Sequence, residues 1–316
     1  MKKSLIALAV LGLSGAAMAQ SSVTLYGVAD AGVGRIKSPG LGTNDASGKV
    51  EFTSASTMNN GTSRIGFRGV EDLGGGLKAG FQFESGLDLD NGAQASSGGT
   101  MWGRRAEMWL GGNWGTVKLG RQLTPTFNSI ATYELTGTAN YSVLGNTYGY
   151  AGAGARANSA FAYISPNFGG FTAAVAYVTK NDTGLDKASW DAALSYSNGP
   201  IAIGASANKG GNSKTNYQVG GKYSFGSFAL AGSYTSASNQ NKAVRRGFGL
   251  GAGANFGAFG LTVDVTRDTK NEWTGKKYTN GVVEGKYALS KRTFFYAAYL
   301  RFDGENNYGL GVRHNF

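Results

Sequence analysis

The chain has 316 residues, among them 52 glycines, 4 prolines, a single histidine (His314) and no cysteine, and carries a formal charge of +11. Glycine without a three-residue period excludes collagen, 12% aromatics exclude a disordered chain, and no apolar window past the N-terminus reaches the ~18 residues of a membrane helix. One histidine and no cysteine exclude a disulfide scaffold and leave no ligand set for a zinc site and little scope for nucleophile–histidine catalysis; no cofactor is expected.

Residues 1–19 read as an address. Lys2 and Lys3 form a positive start, Leu5 to Leu13 an apolar run too short to span a bilayer, and Ala17-Met18-Ala19 a small-x-small cleavage site. The expected mature chain is one unit, residues 20–316, with no lipobox cysteine and no linker. An exported basic chain is expected to act on small anions and lipopolysaccharide, not on nucleic acid.

From Gln20 onward the period is two. Val23, Leu25, Gly27, Ala29 and Ala31 alternate with Thr24, Tyr26, Val28 and Asp30. Leu77, Ala79, Phe81 and Phe83 alternate with Lys78, Gly80, Gln82 and Glu84, and the pattern continues to Leu261, Val263 and Val265. Short breaks at 73–76, 113–115, 169–170, 198–200, 226–227, 257–258 and 290–291 alternate with polar breaks at 36–60, 89–102, 122–156, 181–188, 210–213, 239–245, 271–277 and 304–306. That arithmetic predicts sixteen antiparallel strands of roughly 9–14 residues, long enough to cross hydrocarbon when tilted. Residues 122–155 are too long for a plain surface loop and are expected inside the barrel.

A soluble β-sandwich would need a second apolar face, but the alternate face is mostly glycine, alanine, serine, threonine and charge. Aromatics such as Phe225, Phe228, Phe256, Phe259, Tyr287 and Phe294 concentrate near strand ends, as membrane girdles do. The last strand alternates Tyr308, Leu310, Val312 and His314 to a terminal Phe316.

Leu25-Tyr26-Gly27, Ser63-Arg64-Ile65-Gly66-Phe67-Arg68-Gly69, Phe83-Glu84-Ser85-Gly86, Leu119-Gly120-Arg121-Gln122 and Arg156-Ala157-Asn158-Ser159, in this order, resemble the Gram-negative general porins of the beta-proteobacterial and neisserial kind. The resemblance implies a sixteen-stranded antiparallel transmembrane β-barrel, a homotrimer in the outer membrane, and a third loop folded inward. It implies a general diffusion channel for small hydrophilic solutes and ions. It carries a pore-lining arginine cluster onto Arg64, Arg104 and Arg156, and a facing carboxylate onto Glu84. The stretch Arg104-Arg105-Ala106-Glu107-Met108-Trp109 departs from the family, where one arginine is usual, and leaves open which arginine faces the lumen.

Parity agrees that Arg64, Arg68, Glu84 and Arg156 point inward, since Ile65, Phe67, Phe161 and Tyr163 take the outer face. Glu134, the one acid in the third loop, is the candidate for that loop's charge. Arginine suits a pore because it stays charged at any working pH. Arg121 has outer parity, and Arg245-Arg246 reads as a solvated lip. A substrate-selective channel for a sugar or organic anion is the alternative, with Tyr26, Phe295 and Tyr299 as its inward aromatic track. The first five strands, with Gly27, Ala29, Ala31, Ala79, Gly111 and Gly112, are expected to form the subunit contact, and residues 89–101 a latch over the neighbour. An outer-membrane barrel enzyme would need a catalytic constellation that is missing here.

Overall fold

The computed structural model describes residues 22–38, 47–95, 100–184 and 187–316, so the expected signal peptide lies outside the described residues. Its strands are β1 (Ser22–Arg35), β2 (Val50–Ser54), β3 (Arg64–Gly74), β4 (Leu77–Gly86), β5 (Arg105–Gly112), β6 (Gly115–Leu123), β7 (Arg156–Ile164), β8 (Phe171–Val178) and β9 (Ser189–Asn198). They continue as β10 (Ile201–Lys209), β11 (Asn216–Phe225), β12 (Phe228–Ser238), β13 (Val244–Phe256), β14 (Phe259–Asn271), β15 (Thr279–Ala288), β16 (Thr293–Phe302) and β17 (Glu305–Asn315). β1 and β3 to β17 form a closed barrel of 16 antiparallel strands, each paired with its sequence neighbours. β2 is additional. It pairs with Ala31–Arg35, along the β1 edge that β3 leaves free.

The seam closes on β1. Residues Ser22–Val28 pair with β3 and Val28–Arg35 with β17. Two backbone hydrogen bonds of 3.0 Å between Gly27 and Phe316 finish the ladder. The outer face carries the large apolar side chains that a lipid-facing surface requires: Leu25, Leu230, Phe248, Leu250 and Leu310 are all more than half exposed.

The predicted breaks fall where the chain turns, with two differences in length. Asp303 and Gly304, both at positive φ, make a tight turn where a longer loop is predicted. The connection after β7 runs through Ser165-Pro166-Asn167 and is longer than the Gly169-Gly170 pair suggests.

Three facings also differ. Phe295 and Tyr299 point outward, and the inner row of β16 is Phe294, Tyr296, Ala298, Leu300 and Phe302. β16 is apolar on both faces because its inner face packs on Ile36, Met58 and Tyr141 from loops inside the barrel; hydrophobicity cannot assign its parity. Gly111 pairs with inward Lys78 and shares the parity of Glu107, so it belongs to the lumen face. Arg245 is only 2% exposed and is no solvated lip. Its guanidinium forks onto Asp268 at 3.0 Å and onto Asp303 at 2.6–3.0 Å, tying β13 to β14 and to the β16–β17 turn.

Breaking that cluster from one side takes the shared cation from two carboxylates. Arg245→Ala is expected to cost about 3–5 kcal/mol of barrel stability, against about ±0.5 kcal/mol for the exposed neighbour Arg246→Ala, in guanidinium unfolding of the detergent-purified protein.

Candidate pore constriction

The connection from β6 to β7 turns into the barrel and carries two short helices. Pro125–Ala131 starts on Thr124, whose hydroxyl accepts the Phe127 N–H at 3.1 Å, with proline at the first turn. Val143–Tyr148 starts on Ser142 and stops at Gly149 in the left-handed region (φ 56°). Apolar packing presses this loop on the far wall. Ile130, Tyr133, Leu144 and Tyr148 form one buried cluster with Ala237; Ala139, Tyr141 and Val143 join the inner row of β16 in another.

Polar anchors fix the loop's register. Thr126 donates to Asp191 at 2.7 Å, Tyr133 to Gln218 at 2.7 Å and Tyr141 to Glu284 at 2.5 Å, while Thr147 bonds Thr266 at 2.9 Å. Burial first, and the Glu284 charge second, raise the Tyr141 phenol, which therefore remains a donor at every working pH. The wall glycines make this contact possible. A Cβ at Gly204 would fall 2.4 Å from the Ser129 carbonyl oxygen, and one at Gly220 would fall 2.4 Å from the Tyr133 ring.

A cavity of about 520 Å³ remains between the loop and the opposite wall. Five guanidiniums line it: Arg64, Arg104, Arg105, Arg156 and Arg313. Among the described residues its one lining acid is Glu84. Arg104 Nε reaches Glu84 Oε1 at 2.7 Å, and Arg64 Nε lies 3.7 Å from Oε2. Tyr26 donates to the same Oε2 at 3.0 Å. Arg156 Nε donates to the Arg104 backbone carbonyl at 2.8 Å, which fixes the Arg156 side chain beside the Arg104 backbone. Gly137, Thr138, Asn140 and Tyr150 of the loop face them, all uncharged.

The structure thus brings Arg64, Arg104, Arg156 and Glu84 together. Both adjacent arginines face the lumen: Arg104 binds Glu84, while Arg105 binds Gln82 at 3.2 Å and Glu107 at 3.0 Å. Arg68 also points inward, but it stands over the Tyr26 ring, four residues or about 13 Å further along β3, and does not line the cavity. Glu134 is turned away from the cavity and bonds within its own loop. A bulge at Ser159 (φ 47°) breaks alternation in β7, yet Arg156 still lines the cavity. Arg121 does not line it; it donates to the Gly103 carbonyl at 2.6 Å and to Asn158.

Sequence reasoning missed two contributors. Arg313 comes from the last strand and donates to Asn60 at 2.8 Å. The return limb of the first loop, 55–62, folds inside the barrel beside it, with Asn59 and Asn60 buried. Asp30 holds that limb, accepting from Gly61 N–H at 2.8 Å and Tyr296 OH at 2.6 Å. Buried Asp30 at an inward position of β1 was the available signal, since a buried carboxylate demands partners from elsewhere.

A closed, lipid-faced barrel whose lumen is narrowed by an inward loop and lined by polar and charged groups defines a transmembrane diffusion channel. The Gram-negative porin family model matches residues 4–307, and the chain belongs to that family. Outer membrane porin protein 32 of Delftia acidovorans is 40% identical over 250 residues, which cover 73% of this chain and 68% of that protein. An outer membrane porin protein of Bordetella pertussis is 30% identical across 100% of both chains. The solved structure of the anion-selective porin from Comamonas acidovorans has a TM-score of 0.76 at 29% identity, covering 94% of this chain and 100% of that one. The protein is a general diffusion channel of the outer membrane.

Glu84 is the shared acceptor of this wall. Glu84→Ala leaves two guanidiniums and a phenol without it and is expected to cost about 1.5–3 kcal/mol, whereas Glu84→Gln keeps an acceptor for Arg104 and costs less. Denaturant midpoints of the two variants in detergent check the order.

Proposed function

We propose that the channel prefers anions, and that Arg64, Arg104 and Arg156, joined by Arg105 and Arg313, carry the preference. The observation that supports this most directly is five guanidiniums around one cavity against the single carboxylate of Glu84. Two unit charges about 4 Å apart interact by ~1 kcal/mol in bulk water and ~4 kcal/mol at an effective dielectric near 20. A narrow wet pore lies between these limits, so the uncompensated cations bias ion entry by roughly an order of magnitude or more. The anion selectivity printed for the Comamonas porin, at 29% identity, is in keeping with this reading. With Phe295 and Tyr299 on the outer face, an aromatic sugar track has little support, and Tyr26 serves Glu84 instead.

We also propose export by removal of residues 1–19 and assembly as a homotrimer through the outer face of the first five barrel strands, β1 and β3 to β6. That face is low in relief at Gly27, Ala29, Ala31 and Ala79, and exposed Val33, Val50 and Phe52 extend it at the long-loop end. Trp102, after the expected latch, packs on Phe67 and Phe83 of the same face, with ring centroids 6.3 and 5.5 Å apart. Residues 96–99 of the latch lie outside the described residues. The remaining outer surface meets lipid, and the basic long-loop end meets lipopolysaccharide.

In planar bilayers under a tenfold KCl gradient, the reversal potential should report chloride preference at ~0.1 M, where the Debye length is about 10 Å, and lose much of it at ~1 M, where it is about 3 Å. Arg156→Ala should reduce the dilute-salt preference several-fold (about 1 kcal/mol of lost attraction). Wild-type protein with no preference at low salt would refute the reading. Sedimentation of the detergent-purified protein should give a trimer; a monomer alone would refute the assembly.

A further inference from the structure

The constriction has a second side, and its shape rests on one turn of the inward loop. Gly137 and Thr138 form the tip of that turn and face the arginine wall across the cavity. Both sit in the left-handed region, at φ 74° and 58°. That conformation is costly for a β-branched residue such as Thr138 and persists only where neighbouring groups enforce it.

A buried carboxylate and a lysine do so here. Glu134 Oε1 accepts the Thr136 hydroxyl at 2.6 Å, and Oε2 accepts the Thr138 N–H at 2.6 Å. The Thr136 oxygen in turn accepts the Ala139 N–H at 3.2 Å. The carboxylate thus bridges the turn, and Thr136 passes the bridge to its far limb. Glu134 is 5% exposed and Thr136 2%, so these bonds are made out of water, where charge-assisted bonds are strong. From the barrel wall, Lys286 donates to the Thr136 carbonyl at 3.1 Å while paired with Glu284 at 2.9 Å. The tip is therefore held from within by Glu134 and from behind by Lys286. Glu134 itself does not line the cavity.

We infer that Glu134, acting with Thr136, sets the width of the constriction and not its charge. It is a positioning residue: its carboxylate acts on permeating ions only through the placement of Gly137 and Thr138. The inference rests on the barrel being a diffusion channel narrowed at this cavity.

The two roles separate in a charge-neutral variant. Thr136→Val removes the hydroxyl with little change of volume and no change of charge, whereas Glu134→Gln removes charge and half of the bridge. Single-channel recording in planar bilayers should show altered conductance and increased open-channel noise in both, with the chloride-to-potassium permeability ratio within about twofold of wild type. Thr136→Ser keeps the hydroxyl and should restore wild-type conductance and noise. Should Glu134→Gln fail to yield folded barrel, the Thr136→Val and Thr136→Ser pair carries the test. A reversal potential that moves toward anions in Glu134→Gln, with Thr136→Val like wild type, would make Glu134 a lumen charge and overturn the inference. Unchanged conductance and noise in both variants would overturn it too. Conductance and noise need no ion preference, so a non-selective wild type would refute the anion reading and leave this test standing.

Discussion

A sheet in hydrocarbon can leave no backbone N–H or C=O unpaired, and every other feature of this protein depends on meeting that constraint. The barrel meets it at a seam where β1 serves two partners, β3 along its first half and β17 along its second. The terminal Phe316 contributes to the ladder itself, through its bonds to Gly27. Closure then sets the alternation: within the apolar belt the outer row is apolar or small, and polar side chains on the alternate row point inward. An arginine in β3, one in β7 and one in β17 therefore share a lumen although they are far apart in sequence.

Part of the glycine content follows from the same geometry, beside the glycines that turn the chain at positive φ. A loop that folds into the lumen must lie against a wall whose side chains would otherwise fill that space. Where the helix Pro125–Ala131 and Tyr133 meet the wall, Gly204 and Gly220 let them touch backbone directly. The loop spends its apolar and acidic groups on this wall. Asp191 and Glu284 bind it, and its own acid, Glu134, is consumed in shaping its tip. What it presents to the arginines is uncharged, so Glu84 is the one acid that lines the cavity with them, and Glu107 pairs with Arg105 from behind.

Much of this was legible in sequence because period-two patterning and turn residues are local signals. Strand number, the alternation of short and long connections, the inward loop and the facing of Arg64 and Glu84 all follow from them, whereas Arg156 lines the cavity across a bulge at Ser159 that breaks the count. The failures share a cause: they lie where loops occupy the lumen. β16 is apolar on both faces because loop residues pack inside it, which reversed Phe295 and Tyr299. Arg245 sits beside a break in the pattern, but Asp268 of β14 and Asp303 of the β16–β17 turn converge on it. Arg313 and the limb at Asn59 and Asn60 reach the cavity through long-range pairing that no window of sequence contains. Glu134 was legible as the loop's only acid; its direction was not, because that depends on the bonds of a single turn.

The central claim is that the lumen arginines, not the basic long-loop end, select ions. The most direct test replaces Arg64, Arg104 and Arg156 together by glutamine and measures reversal potential in dilute KCl, beside a control in which the exposed long-loop lysines Lys180, Lys242 and Lys277 are neutralised. The account predicts that the arginine variant loses most of its chloride preference while the lysine variant retains it. An arginine variant as anion-selective as wild type, with selectivity lost in the lysine variant, would contradict it.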